Sequence, residues 1–323
     1  MEKGKFMREI KRVLKDIYHK MRFSYKKRII DPCKMTKSKS KYIVFRESNS
    51  CGLFSLLMTT IGQIAYADAH GMIPEIDFKN HNNIYLEEEL LGKENAWDYY
   101  FKQPYDGILS KDEVDKVREK VICRDENSCC PTPTHLLFDN CRGELDYFRK
   151  LCKSYIKLSD EAEAEFILAQ QQLFSGKKNI LGVLARGTDY LTLKPKGHSI
   201  QPDLQTQLFP KIDDMISSDG YEWVYLATED KKIIEKFQDK YGEKLLFYDR
   251  EYIPYNYSEC ENIATYTSQM KSSKKQQGMD YLMQIMLLTK CQGFVGGITS
   301  GSICVACLAN EWKNTYVFDL GTY

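Results

Sequence analysis

No stretch of this sequence approaches the roughly 20 consecutive apolar residues that a membrane-spanning helix needs. The longest, Tyr281 to Leu288, is interrupted by Gln284 and followed closely by Lys290. An integral helical membrane protein is therefore excluded. The amino terminus is basic throughout and lacks an apolar core segment, so it does not read as a secretory signal. Metal-ligand spacing is missing too. Cys304 and Cys307 form a CxxC with no second pair, Cys129 and Cys130 are adjacent, and the total of eleven cysteines is odd. Such a pattern argues against a zinc site and for reduced thiols in a reducing compartment, many of them core residues.

Charge of one sign is lacking only on average. The net charge is +1, yet residues 1–41 hold fifteen Lys or Arg against four acids, a local +11 that leaves the remainder at −10. Within this arm Phe6, Ile10, Val13, Leu14, Ile17 and Met21 recur at three- and four-residue steps. They predict one apolar stripe on a helix whose other face is cationic. An anionic membrane surface, the body of the protein and nucleic acid are the partners open to such a stripe. At a membrane each basic residue near the headgroups contributes about 1 kcal/mol. The reading adopted is a peripheral membrane contact through residues 1–30 and no nucleic acid, with Asp31-Pro32 and the Lys/Ser-rich stretch to Lys41 as a linker.

What remains is a globular chain. Its 323 residues, 43% apolar and 28% charged, suffice for two domains. Tyr42 to Phe45 reads as a strand, Arg46 to Gly52 as a small-polar loop, Leu53 to His70 as a helix closed by Gly71, and Ile73 to Phe78 as a second strand. That order is a βαβ unit whose loop offers free amides at a helix N-terminus. Trp97, Tyr100 and Gln103 belong to an aromatic–polar cluster that suits either a sugar-binding face or a core. Helices are predicted at Lys111 to Lys120 and Asp146 to Gln172. Residues 42–176 then form an N-terminal α/β domain, with the boundary near Gly176.

Residues 177–323 alternate more cleanly. Strands are predicted at Ile180–Leu184, Glu222–Ala227, Lys244–Tyr248, Gly293–Gly296 and Thr315–Phe318. Helices are predicted at Asp203–Ser217, Lys231–Tyr241, Asp280–Leu288 and Ile303–Asn310. The first strand breaks into Arg186-Gly187-Thr188-Asp189. There a guanidinium fits two phosphate oxygens and a glycine permits close backbone approach, although an ordinary turn has the same composition. Later strand ends carry Thr228-Glu229-Asp230 and Thr299-Ser300-Gly301-Ser302. Polar strand ends facing helix N-termini are what nucleotide sites on doubly wound sheets require.

Three of these strand ends in fixed order, ARGTD with GHSIQ beyond it, YLATED and FVGGITSGSICVA, resemble the GT-B fucosyltransferase superfamily. That superfamily includes the core α-1,6-fucosyltransferases and the bacterial nodulation fucosyltransferases, whose stretches read roughly HVRRTD…HPI, LATDD and FVxTxSSxxxRxA. The resemblance covers about residues 176 to 310 and, more weakly, the NSCG loop. It implies an α/β, GT-B-like fold of two Rossmann-like doubly wound domains facing a cleft, preceded by the basic amphipathic helix. It implies an inverting, metal-independent transfer of fucose from GDP-fucose to a glycan of a cell-surface polysaccharide or glycoconjugate, free or lipid-linked, with no other cofactor. No DxD stands beside a strand end in the C-terminal half, consistent with a metal-free mechanism.

By that resemblance Arg186 grips the diphosphate, Asp189 holds the turn, and His198 sits on the same loop. Glu229 and Asp230 meet the guanine or ribose, and Thr299, Ser300, Gly301 and Ser302 supply hydroxyls and amides to the phosphates. Asn49, Gly52 and Leu53 face the diphosphate from the other domain. Leu184 and Gly187 stand where the family has His and commonly a second Arg. Lys194 takes the place of the carboxylate that serves as base in the core enzymes. The base is then Glu47, Asp189, His198 or none. Two other readings remain open: a GT-B transferase with a different sugar nucleotide, and a non-catalytic, membrane-associated nucleotide- or glycan-binding protein. The implied location is cytoplasmic, on the inner face of the membrane. Deleting residues 1–30 is expected to abolish salt-sensitive sedimentation with anionic vesicles; binding unchanged by the deletion would refute the membrane role of the arm.

Overall fold

The structure is a computed structural model. It describes residues 28–48, 50–123, 132–139, 143–187, 194, 196–252 and 270–323. The predicted stripe at residues 6–21, Asn49 and Asp189 fall outside this set. Two parallel sheets organise the chain. The first contains β1 (Ser40–Val44), β2 (Ile73–Ile76) and β3 (Glu119–Ile122) in the order β2-β1-β3. The second contains β4 (Ile180–Leu184), β5 (Trp223–Ala227), β6 (Leu245–Phe247), β7 (Gly293–Gly297) and β8 (Asn314–Phe318) in the order β6-β5-β4-β7-β8. Every strand pair is parallel. The chain leaves β4 toward β5 and β6, then returns to the opposite side of β4 for β7. The gap between the carboxyl ends of β4 and β7 is therefore the topological switch point where such sheets bind ligands.

Helix α1 spans Leu53–His70 and is closed by Gly71 in a left-handed conformation, φ 65°, where glycine escapes the Cβ clash. The helix predicted from Asp146 to Gln172 is two helices. After α2 (Lys111–Lys116), α3 covers Glu144–Tyr155 and α4 covers Asp160–Phe174. Ser159 starts the second by accepting the Ala162 amide at 3.2 Å, with Asp160, Glu161 and Glu163 in the first turn. The Asp31–Lys41 linker is also corrected. Asp31 caps a 3-10 helix, Pro32–Lys37, that buries Met35, and β1 begins at Ser40. The C-terminal half adds α5 (Phe209–Asp219), α6 (Lys231–Tyr241), α7 (Lys274–Leu288) and α8 (Ser300–Leu308).

Alternation along β4 and β5 divides the second sheet's surroundings. Leu181, Val183, Val224 and Leu226 pack with α5 and α6, whereas Ile180, Leu184, Tyr225 and Ala227 join the other core. That other core also contains α1, α3, α4, α7, α8 and the inner face of the first sheet. The two sheets thus share one continuous apolar interior, and the chain boundary near Gly176 is not a gap in packing. Polar ties reinforce the joint. Tyr100 donates to the Lys275 carbonyl at 3.1 Å, and Arg149 Nε to the Ala306 carbonyl at 3.1 Å.

Gly278 on α7 marks the closest approach of the halves: a Cβ there would collide with the Tyr100 hydroxyl and with the Tyr85 ring. Overpacking of this kind costs typically 1–3 kcal/mol. Gly278→Ala is expected to lower unfolding free energy in urea by about that amount. Gly52→Ala, whose Cβ would meet its nearest neighbours at an ordinary 3.8 Å, is expected to cost under about 1 kcal/mol.

Candidate active site

Arg186 follows the carboxyl end of β4 on the side of β5. One guanidinium nitrogen, Nη1, lies 3.1 Å from Glu229 Oε2, and both side chains are largely buried, 11% and 7% exposed. The other Glu229 oxygen accepts the Gly187 amide at 3.1 Å. One carboxylate from the end of β5 therefore fixes both the side chain and the backbone of the Arg-Gly turn. Glycine at 187 is a steric requirement, since a Cβ there would collide with the Asp230 carboxylate. Asp230 is the N-cap of α6 and accepts the Lys232 amide at 2.8 Å. Glu229 and Asp230, expected to meet a guanine or ribose, are both buried and engaged with protein groups, Glu229 with Arg186 and Asp230 with a helix end.

Behind this turn lies Gln284, 1% exposed within the apolar α7. Its Nε2 donates to the Thr228 carbonyl at 2.9 Å, and its Oε1 accepts Arg250 Nη1 at 3.2 Å. Arg250 follows β6 and also donates from Nε to the Glu251 carbonyl at 3.2 Å. Nothing in composition or periodicity singled out Arg250. Gln284 was visible only as a polar interruption in an apolar run, a signal that could have marked it as a buried hydrogen-bonding residue.

On the β7 side, Thr299 caps α8. Its Oγ1 accepts the Ser302 amide at 3.0 Å, and the Ser302 hydroxyl accepts the Thr299 amide at 2.8 Å. Both hydroxyls serve this capping box, which shapes the helix end. Ser300 and Gly301 form the first turn beyond the cap, and Gly301 packs against Leu184 at the end of β4.

The first sheet contributes the N-terminus of α1. Gly52 is its N-cap, and a Cβ built there would lie 3.8 Å from the Tyr281 ring and from the Tyr85 hydroxyl. The Leu53 amide, expected to face a ligand, instead donates to the Tyr85 hydroxyl at 2.6 Å. Burial, and secondarily Tyr281, drives the Tyr85 pKa well above the ordinary phenol value, opposed by the Leu53 amide, Arg250 and Arg186. Tyr85 is thus a neutral hydroxyl that takes the Leu53 amide at the helix end and feels the charges of Arg250 and Arg186, another residue that sequence reasoning missed. Glu47 is exposed on the loop before α1, where Arg46 turns back to the Ser55 carbonyl and hydroxyl at 3.2 Å. His198 is exposed. Its loop pairs with the chain's last residues: Tyr323 donates its amide to the His198 carbonyl at 3.1 Å, and Ile200 donates to the Gly321 carbonyl at 2.9 Å.

The predicted sugar-stacking cluster is largely core. Trp97 and Tyr100 are each 1% exposed, Trp97 packing on Phe78 and Phe101 and Tyr100 on Tyr85 and Tyr99. A ring covered on both faces has no surface for a sugar, so both assignments are corrected. Gln103 spends its amide on β2, accepting the Ile76 amide at 2.9 Å and donating to Asp98 at 2.8 Å. It nevertheless lines an open groove of about 1370 Å³ on the far face of the first sheet. Phe45 and His81, stacked at 3.7 Å, also line the groove. Asp98, whose pKa is raised first by burial, stands in the same wall.

No protein-family model matches the chain, and no curated protein matches it in sequence. Solved structures do match in fold. The chain is similar to the fucosyltransferase NodZ from Bradyrhizobium, with 16% identity over 88% of this chain and 96% of that one and a TM-score of 0.51. It is also similar to NodZ alpha-1,6-fucosyltransferase soaked with GDP-fucose, with 14% identity over 84% and 93% of the two chains and a TM-score of 0.50. Arabidopsis thaliana FUT1, in a mutant form in complex with GDP, gives 12% identity over 88% and 72% and a TM-score of 0.51. The chain has a GT-B fucosyltransferase-like fold. Its N-terminal half, matched weakly by motif, is therefore covered by the structural likeness as well.

The Arg186–Glu229 pair carries a stability consequence. Removing one partner of a buried ion pair strands the other charge and costs about 3–5 kcal/mol. Glu229→Ala is expected to lose that much in denaturant unfolding. The Arg186→Ala, Glu229→Ala double variant should lose less than the sum of the singles, by more than about 1 kcal/mol; strict additivity would show that the pair is not coupled.

Proposed function

We propose that this protein is an inverting fucosyltransferase that moves fucose from GDP-fucose to a glycan hydroxyl. The observation that carries the reading is Arg186, oriented by Glu229 at the switch point of a sheet whose fold is that of sugar-nucleotide-dependent enzymes. In this reading the guanidinium meets the diphosphate as negative charge accumulates on it during bond cleavage. Preorganised charge of this sort needs no rearrangement at the moment of reaction, and removing one such donor typically costs 100- to 1000-fold in rate. Ser300 and Gly301 at the start of α8 add a second source of positive potential through their helix end.

The acceptor approaches from the first sheet. Its groove joins the Phe45–His81 stack to amide and carboxylate side chains, the mixture that a neutral glycan's CH faces and hydroxyls engage. Glu47, on the loop that joins Phe45 of that groove to the start of α1, serves in this reading as the base that takes the acceptor proton. The leaving diphosphate is neutralised by protein cations, so a divalent metal is not required.

Arg186→Ala is expected to reduce fucose transfer at least 100-fold while circular dichroism shows a folded chain; near-wild-type turnover would sink the assignment. Glu47→Gln should lower kcat by 100-fold or more with GDP affinity retained. In a thermal-shift panel GDP, but not UDP or CDP, should stabilise the protein, by about 2.7 kcal/mol at 100 times its dissociation constant. Activity should survive chelation by EDTA. Stabilisation by UDP alone would transfer the reading to another donor.

A further inference from the structure

We propose that Arg250 is a second diphosphate-binding cation of this cleft, supplied by the end of β6 and aimed by Gln284. This rests on the donor reading above, which itself uses only Arg186.

The first argument is charge. Arg250 is half-buried, and its guanidinium is hydrogen-bonded to two neutral acceptors, the Glu251 carbonyl and Gln284 Oε1. Among the described residues no carboxylate forms an ion pair with it. Of the acids around it, Asp249 is exposed, and Glu251 and Asp280 are hydrogen-bonded to other groups, with the charge of Arg250 also acting on Asp280. Glu251 accepts the Lys271 and Ser272 amides at 3.0 and 3.1 Å, and these bonds hold its pKa below the usual carboxylate range. Asp280 accepts Gln276 Nε2 at 2.8 Å, and burial raises its pKa. A half-buried guanidinium bonded only to neutral groups keeps further donors with which to take an anion.

The second argument is placement. Gln284 holds the Thr228 carbonyl with one end of its amide and Arg250 with the other. Thr228 immediately precedes Glu229, which holds Arg186. The two arginines are thereby fixed to one frame along the carboxyl edge of adjacent strands β4, β5 and β6. Both lie within electrostatic range of the Tyr85 hydroxyl at the N-terminus of α1. Both charges act on this hydroxyl at the helix end, and the two carboxylates beside the β4 turn, Glu229 and Asp230, are engaged with Arg186 and with the end of α6. A second cation cannot come from position 187, because Asp230 fills the space a side chain would need. A dianionic or trianionic phosphate ester is the ligand class that balances this excess.

The test is calorimetric titration of the full chain with GDP and with inorganic pyrophosphate. A hydrogen-bonded charge is worth about 1.5–3 kcal/mol, so Arg250→Ala is expected to weaken GDP roughly 10- to 100-fold. It should also flatten the salt dependence of binding. Arg250→Lys, which keeps the charge but not the fork, should fall between the two. Gln284→Leu should weaken GDP with Arg250 present but have no further effect in the Arg250→Ala background, which a merely structural role would not produce. GDP affinity within twofold of wild type in a folded Arg250→Ala protein, with Arg186→Ala defective, would overturn the inference and leave the donor reading standing. Failure of the wild-type chain to bind GDP, UDP, CDP or pyrophosphate would overturn both.

Discussion

Helix α7 is the constraint on which the rest of the arrangement depends. Its Gly278 admits the Tyr100 hydroxyl and Tyr85 ring from the first half of the chain, and its Tyr281 flanks the N-cap of α1. Three residues later Gln284 secures both the Thr228 carbonyl and the Arg250 guanidinium. One helix thus joins the sheets and sets the geometry between their polar edges. That coupling explains why so many buried polar groups sit in an otherwise apolar element. Gln277, Asp280 and Gln284 are all buried on α7, and each has a hydrogen-bond partner. Buried polar groups so paired specify one arrangement at little net gain in stability.

The Arg186–Glu229 pair follows the same logic. A buried ion pair contributes little net stability compared with apolar residues of the same volume, because desolvation offsets most of its Coulombic gain. Its value here is orientation. Glu229 holds the guanidinium and the next backbone amide together, so the turn that follows β4 cannot rotate its charge away from the crevice. Gly187 completes the device by letting Asp230 cap α6 directly against the turn.

How much of this was legible in the sequence depends on whether a feature is local. Helix α1 matches its predicted span, with both boundaries set by residues in sight: the loop ending at Gly52 and the Gly71 cap. Helix α6 and strand β4 are equally local. Strand β3 escaped notice because Glu119 to Ile122 is an edge strand with mostly exposed side chains and no alternation to reveal it. The Trp97–Phe101 cluster had the right composition for a sugar platform, but composition does not say which rings end inside. Glu229 and Asp230 were legible as a polar strand end. That the first pairs with Arg186 depends on β5 lying beside β4, a neighbour relation 43 residues apart. Arg250 is less local still, since its significance appears only through Gln284.

The shared interior also bears on how such a cleft works. A hinge between two separate domains would need a boundary with few apolar contacts, yet α1, α3, α4, α7 and α8 form one core spanning both sheets. Opening it would expose buried aliphatic and aromatic surface at about 25 cal/mol per Å², and would break the Tyr100–Lys275 and Arg149–Ala306 bonds. The relation between the α1 end and the β4–β7 crevice is therefore set by folding rather than by ligand binding. Charges fixed in advance in this way spend no binding energy on assembling the site.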